Sequence, residues 1–560
     1  MTDHKHQETL RTLVFFSLSA GLLTLIQAPF DAHFLAWIAL VPFAMVCAPE
    51  VRTWRLVWTS YIVSLVYWIG NLYWIGYVTV PGYVLFSIIL ALYWPVLALS
   101  VRYIQRKGLP LFACLPILFV GAEAWQGLLF TGFSWRLLGH SQYQNLTVIQ
   151  IADIFGALGV SFLVGMVNGL ITDLGISLTQ GKVMRFSNLF KVAMVGAAVF
   201  CTVDYGRMRL DETPLHLTEG PAVGSVQPNI PSHIKEEVES GEKIMDELLI
   251  SSEKCYQAGA EMVAWPETIV LATMNKDFLR HLKPGSRALK FNDRISEFVS
   301  GKGYLLMGAH SAEVGIRDGK YDVTDRWNSA LLYKPNGKQA AQRYDKIHLV
   351  PFGEFIPFRG TFIADFITWL SPYDYDYSLE HGDEYTVFEM DSSKGKFNFG
   401  AMICYEDTDP RIIRRIVGTQ GVKRADWLVN LSNDGWYVRF DNGKIIPSVE
   451  LPQRTAITVF RCVENRIPVI RSVNTGISCL IDSTGKIRDG YVEGNLPVEA
   501  MERQGVGGYF VDNIPVDSRI TFFSKYGQKL DIVCGAAFAL TALIVLVADF
   551  KRYRHEKRTA

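Results

Sequence analysis

The sequence has 560 residues, and its 55 Lys and Arg balance 55 Asp and Glu, so the formal net charge is zero. This balance argues against a nucleic-acid binder, because neutralising phosphates normally takes a basic excess. Hydrophobic residues make up 49% of the chain and charged residues 20%, a composition that excludes an intrinsically disordered protein. The length also predicts more than one domain, at roughly 150 residues each.

The first 210 residues contain seven apolar runs, near residues 12–30, 33–49, 56–78, 80–101, 109–131, 147–176 and 188–204. Most of them reach the ~20 residues that a helix needs to cross a ~30 Å hydrocarbon core, and the run at 33–49 is the weakest candidate. We therefore expect a seven-span transmembrane domain over 1–210. An eighth apolar run predicts a C-terminal transmembrane helix over 530–550, followed by a basic cytoplasmic tail over 551–560.

Basic residues cluster in alternate connections between these runs. Arg52 and Arg55 follow the second run, residues 102–107 follow the fourth, and residues 182–191 follow the sixth. Because cytoplasmic loops of membrane proteins carry an excess of Lys and Arg, these connections are expected in the cytoplasm. The chain from about residue 205 to the eighth run is then expected on the outer face.

Residues 215–515 differ in composition, with frequent charges and no run of membrane-spanning length. Short β-rich runs such as Met262–Trp265, Tyr304–Ala309 and Phe397–Cys404 alternate with helical patterns. That alternation is typical of an α/β domain whose strands are covered by helices. The eight cysteines form no CxxC or Cys/His cluster, so we expect no zinc site.

Two segments of this domain place a charged side chain beside an apolar strand. In Trp265-Pro-Glu267, a rigid turn and aromatic cover can raise the carboxylate pKa toward that of a general base. In the segment from Lys346 to Glu354, the ammonium can stabilise a developing oxyanion. The ordinary alternatives are solvent-exposed turn glutamates and a surface lysine.

A third segment, Cys404-Tyr405-Glu406, follows an apolar strand directly. A cysteine at a strand end is well placed for nucleophilic attack if a base or cation lies nearby. A buried structural cysteine is the alternative. No histidine close in sequence pairs convincingly with Cys404, which disfavours a Cys-His dyad.

The three segments together, with Trp-Pro-Glu, Lys-x-His-Leu-Val-Pro-Phe-Gly-Glu and Cys-Tyr-Glu in this order, resemble the carbon–nitrogen hydrolase (nitrilase) superfamily, whose fold is an αββα sandwich. Eight spans around such a domain narrow the resemblance to the apolipoprotein N-acyltransferases. Stretches at Gly132–Gln142, Asn430–Trp436 and Arg471–Gly476 agree with that family. One departure is Ser232-His233, where the family often has Lys-Trp.

The resemblance implies that Cys404 takes an acyl chain from a membrane phospholipid as a thioester and passes it to the α-amine of a diacylglyceryl apolipoprotein. Glu267 would act as base and Lys346 as oxyanion stabiliser. Supporting residues would be Glu354, Tyr405 and Glu406, and substrate contacts would be Trp327, Phe366, Trp369 and Trp436. The implied protein is a monomer of the bacterial inner membrane, with its catalytic domain in the periplasm and no cofactor.

Two other functions stay open at this point. A membrane-tethered amidase or nitrilase would share Glu267, Lys346 and Cys404 but would need only one anchor. A transporter or receptor with a non-catalytic outer domain would be expected to carry charges inside its spans. The few acidic residues in or beside the predicted spans form no obvious relay.

Residues 361–385 suggest a further hypothesis about access to the site. Phe366 and Trp369 belong to a helix-spaced apolar face there. That face either packs on its own domain or forms an amphipathic lid that dips into the outer leaflet.

Overall fold

The computed structural model describes residues 2–231, 240–317, 320–356, 360–361 and 377–559. The chain separates into two compact units. The helical unit comprises Met1–Glu212 and Tyr526–Ala560, and the α/β unit comprises Thr213–Lys525. The C-terminal helix therefore belongs with the N-terminal helices, although the whole α/β unit lies between them in sequence.

The helices are α1 (Thr2–Leu25), α2 (Val41–Val46), α3 (Thr53–Asn71), α4 (Val80–Ala91), α5 (Tyr93–Arg106), α6 (Leu111–Gln126), α7 (Leu146–Ile149), α8 (Ala152–Phe155), α9 (Ala157–Thr179), α10 (Phe186–Asp211), α11 (Ser240–Gln257), α12 (Lys276–Leu279), α13 (Arg287–Val299), α14 (Pro410–Val417), α15 (Glu450–Asn465), α16 (Phe522–Tyr526) and α17 (Lys529–Thr559). The strands are β1 (Leu217–Gln227), β2 (Met262–Thr273), β3 (Tyr304–Arg317), β4 (Lys320–Tyr333), β5 (Gln339–Asp345), β6 (Val387–Ser392), β7 (Gly395–Ile403), β8 (Trp427–Asn433), β9 (Arg439–Asp441), β10 (Lys444–Ile446), β11 (Val469–Asn474), β12 (Leu480–Ile481), β13 (Glu493–Gly494) and β14 (Gly508–Asp517).

Among the described residues, five helical segments are long and apolar enough to cross a membrane: His6–Leu25, Val80–Arg106, Ala157–Thr179, Phe186–Leu215 and Lys529–Ala548. Shorter apolar segments occupy His33–Val46, Leu111–Gln126 and Leu146–Phe155. The chain is therefore a membrane protein with several apolar helices in its N-terminal region.

Several of the apolar runs do not form single helices; the run at 80–101, for example, comprises α4 and α5. The run at 147–176 is split into α7, α8 and α9, and the chain breaks before α9 at Gly156, whose φ is +71°. The run at 33–49 forms a 3-10 turn, His33–Trp37, followed by the six-residue α2. Helix α3 is 19 residues long but carries polar residues on its buried side, among them Arg55 and Asn71, which lowers its hydropathy.

Small residues let α6 pack closely against its neighbours in the helical unit. A Cβ at Gly121 would lie 2.4 Å from the carbonyl oxygen of Cys534 in α17. A Cβ at Gly169 in α9 would lie 2.3 Å from the carbonyl oxygen of Leu111. Close backbone approach through small residues is how helices associate in lipid, where burial of apolar side chains gives little driving force.

The α/β unit is built on two large sheets. One has the order β13-β14-β1-β2-β3-β4-β5, and the other has the order β12-β11-β8-β7-β6. Hydrogen bonds join the facing sheets, from Ser225 Oγ to the carbonyl oxygen of Arg471 and from Ser472 Oγ to that of Ala264, at 3.0 and 2.9 Å. Small polar side chains at this contact allow the sheets to pack face to face.

Helices cover the outer faces of both sheets. Leu248 of α11 and Phe291 of α13 belong to one hydrophobic core with Val263 and Met307 of the first sheet. Ile416 of α14 packs against Gly400 of the second sheet, where a Cβ would lie 2.3 Å from an Ile416 methyl group. The layers therefore follow the predicted order of helix, sheet, sheet and helix.

Parallel pairing places several strand ends at one edge of these sheets. Strand β2 runs parallel to β1 and β3, and β8 runs parallel to β7 and β11. Because parallel strands end on the same side, residues that follow β7 and β8 are brought next to one another. This edge holds the side chains described next.

Candidate active site

Glu267 lies in an irregular stretch of β2, where the register with β3 shifts between Trp265 and Val270. Its side chain is 5% exposed. Oε1 accepts hydrogen bonds from Asn328 Nδ2 at 2.7 Å and Lys346 Nζ at 3.1 Å, and Oε2 accepts one from the backbone N–H of Asn433 at 2.9 Å. The carboxylate is therefore held on both oxygens by three different segments.

A glycine makes room for this irregular strand. A Cβ at Gly308 in β3 would lie 2.5 Å from the Cα of Glu267 and 2.6 Å from the carbonyl oxygen of Pro266. Real Cβ atoms do not approach backbone so closely, so a larger residue at position 308 would displace Glu267. The position of the carboxylate thus depends on a neighbouring strand as well as on its own turn.

Lys346 follows β5 and is almost fully buried. Its Nζ lies 3.1 Å from Glu267 Oε1 and 2.8 Å from Glu354 Oε1. Asn328 Nδ2 also donates to Glu354 Oε1, at 2.9 Å, and the other oxygen of Glu354 accepts from the N–H of Val350 at 2.8 Å. The ammonium therefore lies between two fixed carboxylates.

Cys404 follows the last residue of β7 and begins the 3-10 turn Cys404–Thr408. Its φ is +51°, a left-handed conformation that residues other than glycine seldom adopt and that costs about 1–3 kcal/mol. The Cys404 thiol lies close enough to Glu267 to lower the pKa of that carboxyl. Cys404 therefore lies in a sharp turn directly after a strand, and it is 6% exposed.

Glu406 fixes the turn that carries Cys404. One of its oxygens accepts hydrogen bonds from Tyr344 Oη and from the backbone N–H groups of Ile347 and His348, at 2.7–3.1 Å. The other oxygen accepts from the N–H of Ile403 at 2.7 Å. Burial nevertheless raises the pKa of Glu406 to about 7. The side chain links the Cys404 turn to the segment that contains Lys346.

Electrostatics favour a neutral thiol beside a charged Lys–Glu pair. Burial raises the pKa of the Cys404 thiol to about 12, and Glu267 adds to this shift while Arg454 and Lys346 oppose it. Burial alone would raise the pKa of Glu267, but the Lys346 ammonium and three hydrogen bonds outweigh it and lower that pKa. Burial alone would lower the pKa of Lys346, but the two carboxylates hold it well above its usual value.

The arrangement is suited to covalent catalysis with a coupled proton transfer. A free thiolate is disfavoured, so a thiol that attacks from this position has to lose its proton in the same step, and the neighbouring Glu267 carboxylate can accept it. Lys346 supplies a fixed positive charge for an oxyanion. In the described part of the chain, no group of three or more His, Cys, Asp or Glu side chains is arranged to hold a metal ion.

The other residues expected at the site are distributed differently. The Tyr405 ring lies edge-on to His348, with centroids 5.1 Å apart, and Trp436 lies on the turn after β8 and is 44% exposed. Trp327 lies 5.0 Å from the Arg343 guanidinium, and strand alternation puts it on the face opposite Asn328. Phe366 and Trp369, with most of the hypothesised lid, lie outside the described residues.

Sequence reasoning missed Asn328 and Tyr344 as members of the site. Asn328 is buried in a strand that continues as Ala330-Leu331-Leu332, and a buried amide before such an apolar run signals a specific hydrogen-bonding task. Tyr344 is likewise fully buried and donates to Glu406. These polar residues in buried strands were the available signals.

Two family models match the chain. Residues 19–170 match the apolipoprotein N-acyltransferase N-terminal domain, and residues 222–495 match the carbon-nitrogen hydrolase domain. The apolipoprotein N-acyltransferase of Geobacter metallireducens is 30% identical over 530 residues, covering 91% of this chain and 90% of its own. Apolipoprotein N-acyltransferase 1 of Treponema denticola is 26% identical over 541 residues, covering 92% of each chain.

Among solved structures, an amidase of the nitrilase superfamily from Nesterenkonia aligns with 14% identity and a TM-score of 0.32. The alignment covers 53% of this chain and 93% of the amidase.

Proposed function

The chain belongs to the apolipoprotein N-acyltransferases, which N-acylate lipoproteins in the membrane, and we propose that its reaction runs through a thioester on Cys404 in two half-reactions. The observation that carries this proposal is the contact set around Glu267, which joins Cys404, Lys346 and Asn328. That set combines a nucleophile, a proton acceptor and a fixed cation at one sheet edge, as double-displacement acyl transfer requires.

In the first half-reaction, the Cys404 sulfur attacks the ester carbonyl carbon of a phospholipid acyl chain while its proton passes to Glu267. The carbonyl oxygen becomes an oxyanion next to the Lys346 ammonium. The C–O ester bond then breaks, and the leaving alkoxide takes the proton from Glu267. The products are an acyl thioester on the enzyme and a lysophospholipid, and Glu267 is again ionised.

In the second half-reaction, the α-amine nitrogen of a diacylglyceryl-cysteine apolipoprotein attacks the thioester carbonyl and gives a proton to Glu267. The C–S bond breaks, and Glu267 returns the proton to the sulfur of Cys404. Lys346 faces the oxyanion in both steps, so the same buried charges serve the two substrates. Glu354 acts indirectly, since it holds Lys346 at 2.8 Å.

The apolar helices support transfer between substrates that reside in the bilayer. We propose eight spans in the bacterial inner membrane, with the α/β unit on the periplasmic face, because basic residues cluster in the alternate connections predicted to be cytoplasmic. We also propose that the enzyme acts as a monomer and that Trp436, which is 44% exposed on the turn after β8, contacts an acyl chain. A small-molecule amidase would share the catalytic residues but not the need for so many apolar helices.

The choice between an amine and water as acceptor has a direct test. The full-length protein, in vesicles of phosphatidylethanolamine, is incubated with a diacylglyceryl-cysteine peptide whose α-amine is either free or acetylated. We expect a mass increase of one acyl chain on the free-amine peptide and none on the acetylated peptide. Release of free fatty acid with no acylated peptide would instead support a hydrolase.

A further inference from the structure

A cluster of five ionisable side chains lies next to the Cys404 turn and has no role in the reaction described above. This ionic cluster consists of Asp407, Asp434, Glu450, Arg454 and Arg471, and each residue is at most 1% exposed. Buried charges are costly unless they are paired, and replacing such clusters by apolar residues is often neutral or stabilising. Their position next to a nucleophile therefore invites a functional explanation.

Arg454, on α15, contacts the two turns that build the active site. Its Nε lies 3.1 Å from Asp407 Oδ2, and its Nη1 lies 3.1 Å from Asp434 Oδ1. Asp407 belongs to the same 3-10 turn as Cys404, and Asp434 begins the 3-10 turn after β8. One guanidinium thus ties the nucleophile's turn to the turn that follows Asn433.

This second turn also holds the general base. The backbone N–H of Asn433, next to Asp434, donates to Glu267 Oε2 at 2.9 Å. Arg471 makes a parallel bridge, 3.0 Å from Asp407 Oδ2 and 3.7 Å from Asp434 Oδ2. The ionic cluster therefore links the turn that carries Cys404 to the turn whose backbone holds Glu267.

Arg454 supplies one of the two positive charges in the cluster. Burial, with the nearby Asp434, raises the pKa of Glu450 well above its usual value, and burial also raises the pKa of Asp434. Both shifts show that negative charge is costly at this place. Loss of the Arg454 charge would make the cluster more negative by one unit, which disfavours both a thiolate and an anionic tetrahedral intermediate next to it.

We propose that Arg454 is a positioning residue for acyl transfer: it holds the Cys404 turn against the turn that fixes Glu267, and its positive charge offsets Asp407 and Asp434 behind the nucleophile. The proposal rests on the proposed role of Cys404 as nucleophile. Other charged or titratable groups also face the thiol, and they remain unchanged in the variants below. They are Glu267 on β2, Lys346 and Glu354 after β5, and Tyr437 after β8.

The test uses Arg454→Met, which keeps an unbranched stem and removes the guanidinium with its charge. The rate of Cys404 alkylation by iodoacetamide is measured against pH on the full-length protein in detergent, with peptide mass spectrometry to isolate Cys404 from the other cysteines. We expect alkylation at least tenfold slower at a given pH, because one unit in pKa changes the thiolate fraction tenfold. Acyl-enzyme formation should slow by at least tenfold while the KM for phospholipid stays within about threefold.

Arg461→Met provides a matched control on the same helix. Arg461 is also buried and ion-paired, but with Glu464, at 2.7 Å, and it donates to the carbonyl oxygen of Thr408 rather than to the aspartates. The Arg461→Met variant should have a lower melting temperature, but its rate of Cys404 alkylation against pH should match that of wild type. If both variants shift that profile equally, or Arg454→Met leaves it unchanged, the proposal is wrong.

Two further variants keep the proposal testable if Arg454→Met folds poorly. Arg454→Lys keeps the charge but cannot span both aspartates, so alkylation should stay within about threefold of wild type while acylation slows. Arg454→Met combined with Asp434→Asn removes a negative charge together with the positive one and should recover part of the alkylation rate. If Arg454→Lys is alkylated as slowly as Arg454→Met, and the double variant recovers none of the alkylation rate, the electrostatic role of Arg454 is wrong. Since alkylation needs no acyl donor, a failure of the thioester mechanism would show separately as absent acylation in wild type.

Discussion

Replacing Lys346 with Met deletes the cation that lies between Glu267 and Glu354 and changes the side-chain length little. Both carboxylates accept hydrogen bonds from Asn328 Nδ2, at 2.7 and 2.9 Å, and would face each other without this counter-ion. Breaking a buried ion pair by removing one partner costs about 3–5 kcal/mol. For a domain of this size, we expect a fall in melting temperature on the order of 5–10 °C.

The loss of stability in the Lys346→Met variant, relative to wild type, should depend on pH. In wild type the pKa of Glu267 is below its usual value, so its stabilising contribution is present above the unfolded-state pKa and is lost as pH falls through the folded-state pKa. In the variant, repulsion raises the pKa of one of the two carboxyls. The variant therefore loses stability as pH rises, and we expect its stability to fall further below that of wild type at about pH 8 than at about pH 5.

Labelling of buried thiols during a thermal ramp measures unfolding of the α/β unit in the full-length protein. Cys255, Cys462 and Cys479 are buried there, and peptide mass spectrometry reports each one. The control is Lys302→Met, because Lys302 and Glu253 pair at the surface, where an ion pair contributes about 0–1 kcal/mol. If Lys346→Met melts like Lys302→Met at both pH values, the ion-pair reasoning is refuted.

Three other predictions concern Glu406, Trp436 and the membrane topology. Glu406→Gln puts an amide where a carboxylate oxygen accepts hydrogen bonds, so we expect a loss of about 1–3 kcal/mol and slower acylation, measured by melting and acyl-enzyme formation. Trp436→Ala should change stability by only about 0.5 kcal/mol, because the ring is half-exposed; unchanged acyl-enzyme formation would argue against its contact with an acyl chain. An alkaline phosphatase fusion after Arg209 should be active, and activity there of a reporter confined to the cytoplasm would contradict the proposed topology.

The sequence predicts parts of the site where each group belongs to a local pattern. Glu267 follows Trp265-Pro266, and Cys404 follows an apolar run, so both local patterns are visible within a few residues. The sequence places both groups at strand ends, and this is correct for Cys404 only, because Glu267 lies within β2. Asn328 and Arg454 have no such pattern. Their partners, Glu267 and Asp407, lie 61 and 47 residues away. Sheet topology decides those contacts, and a single sequence does not state which strands become neighbours.

The membrane helices show a similar limit. Hydropathy predicts where apolar residues are frequent, but helix continuity also depends on backbone conformation. Gly156, with φ of +71°, divides one apolar run, and the run at 33–49 contains only a 3-10 turn and a six-residue helix. Arg55 and Asn71 put polar groups on a helix of spanning length. Broken helices and polar side chains of this kind are stabilised by contacts with neighbouring helices, and a hydropathy profile contains no information on such contacts.

The mass of the intact protein after incubation with phospholipid shows whether Cys404 carries the acyl group. We expect wild type to gain the mass of one acyl chain, which maps to the Cys404 peptide and is released by hydroxylamine. Cys462→Ala should behave like wild type, and Cys404→Ala should stay folded and gain no mass. A hydroxylamine-labile acyl group of the same yield in Cys404→Ala would show that a residue other than Cys404 carries the acyl group.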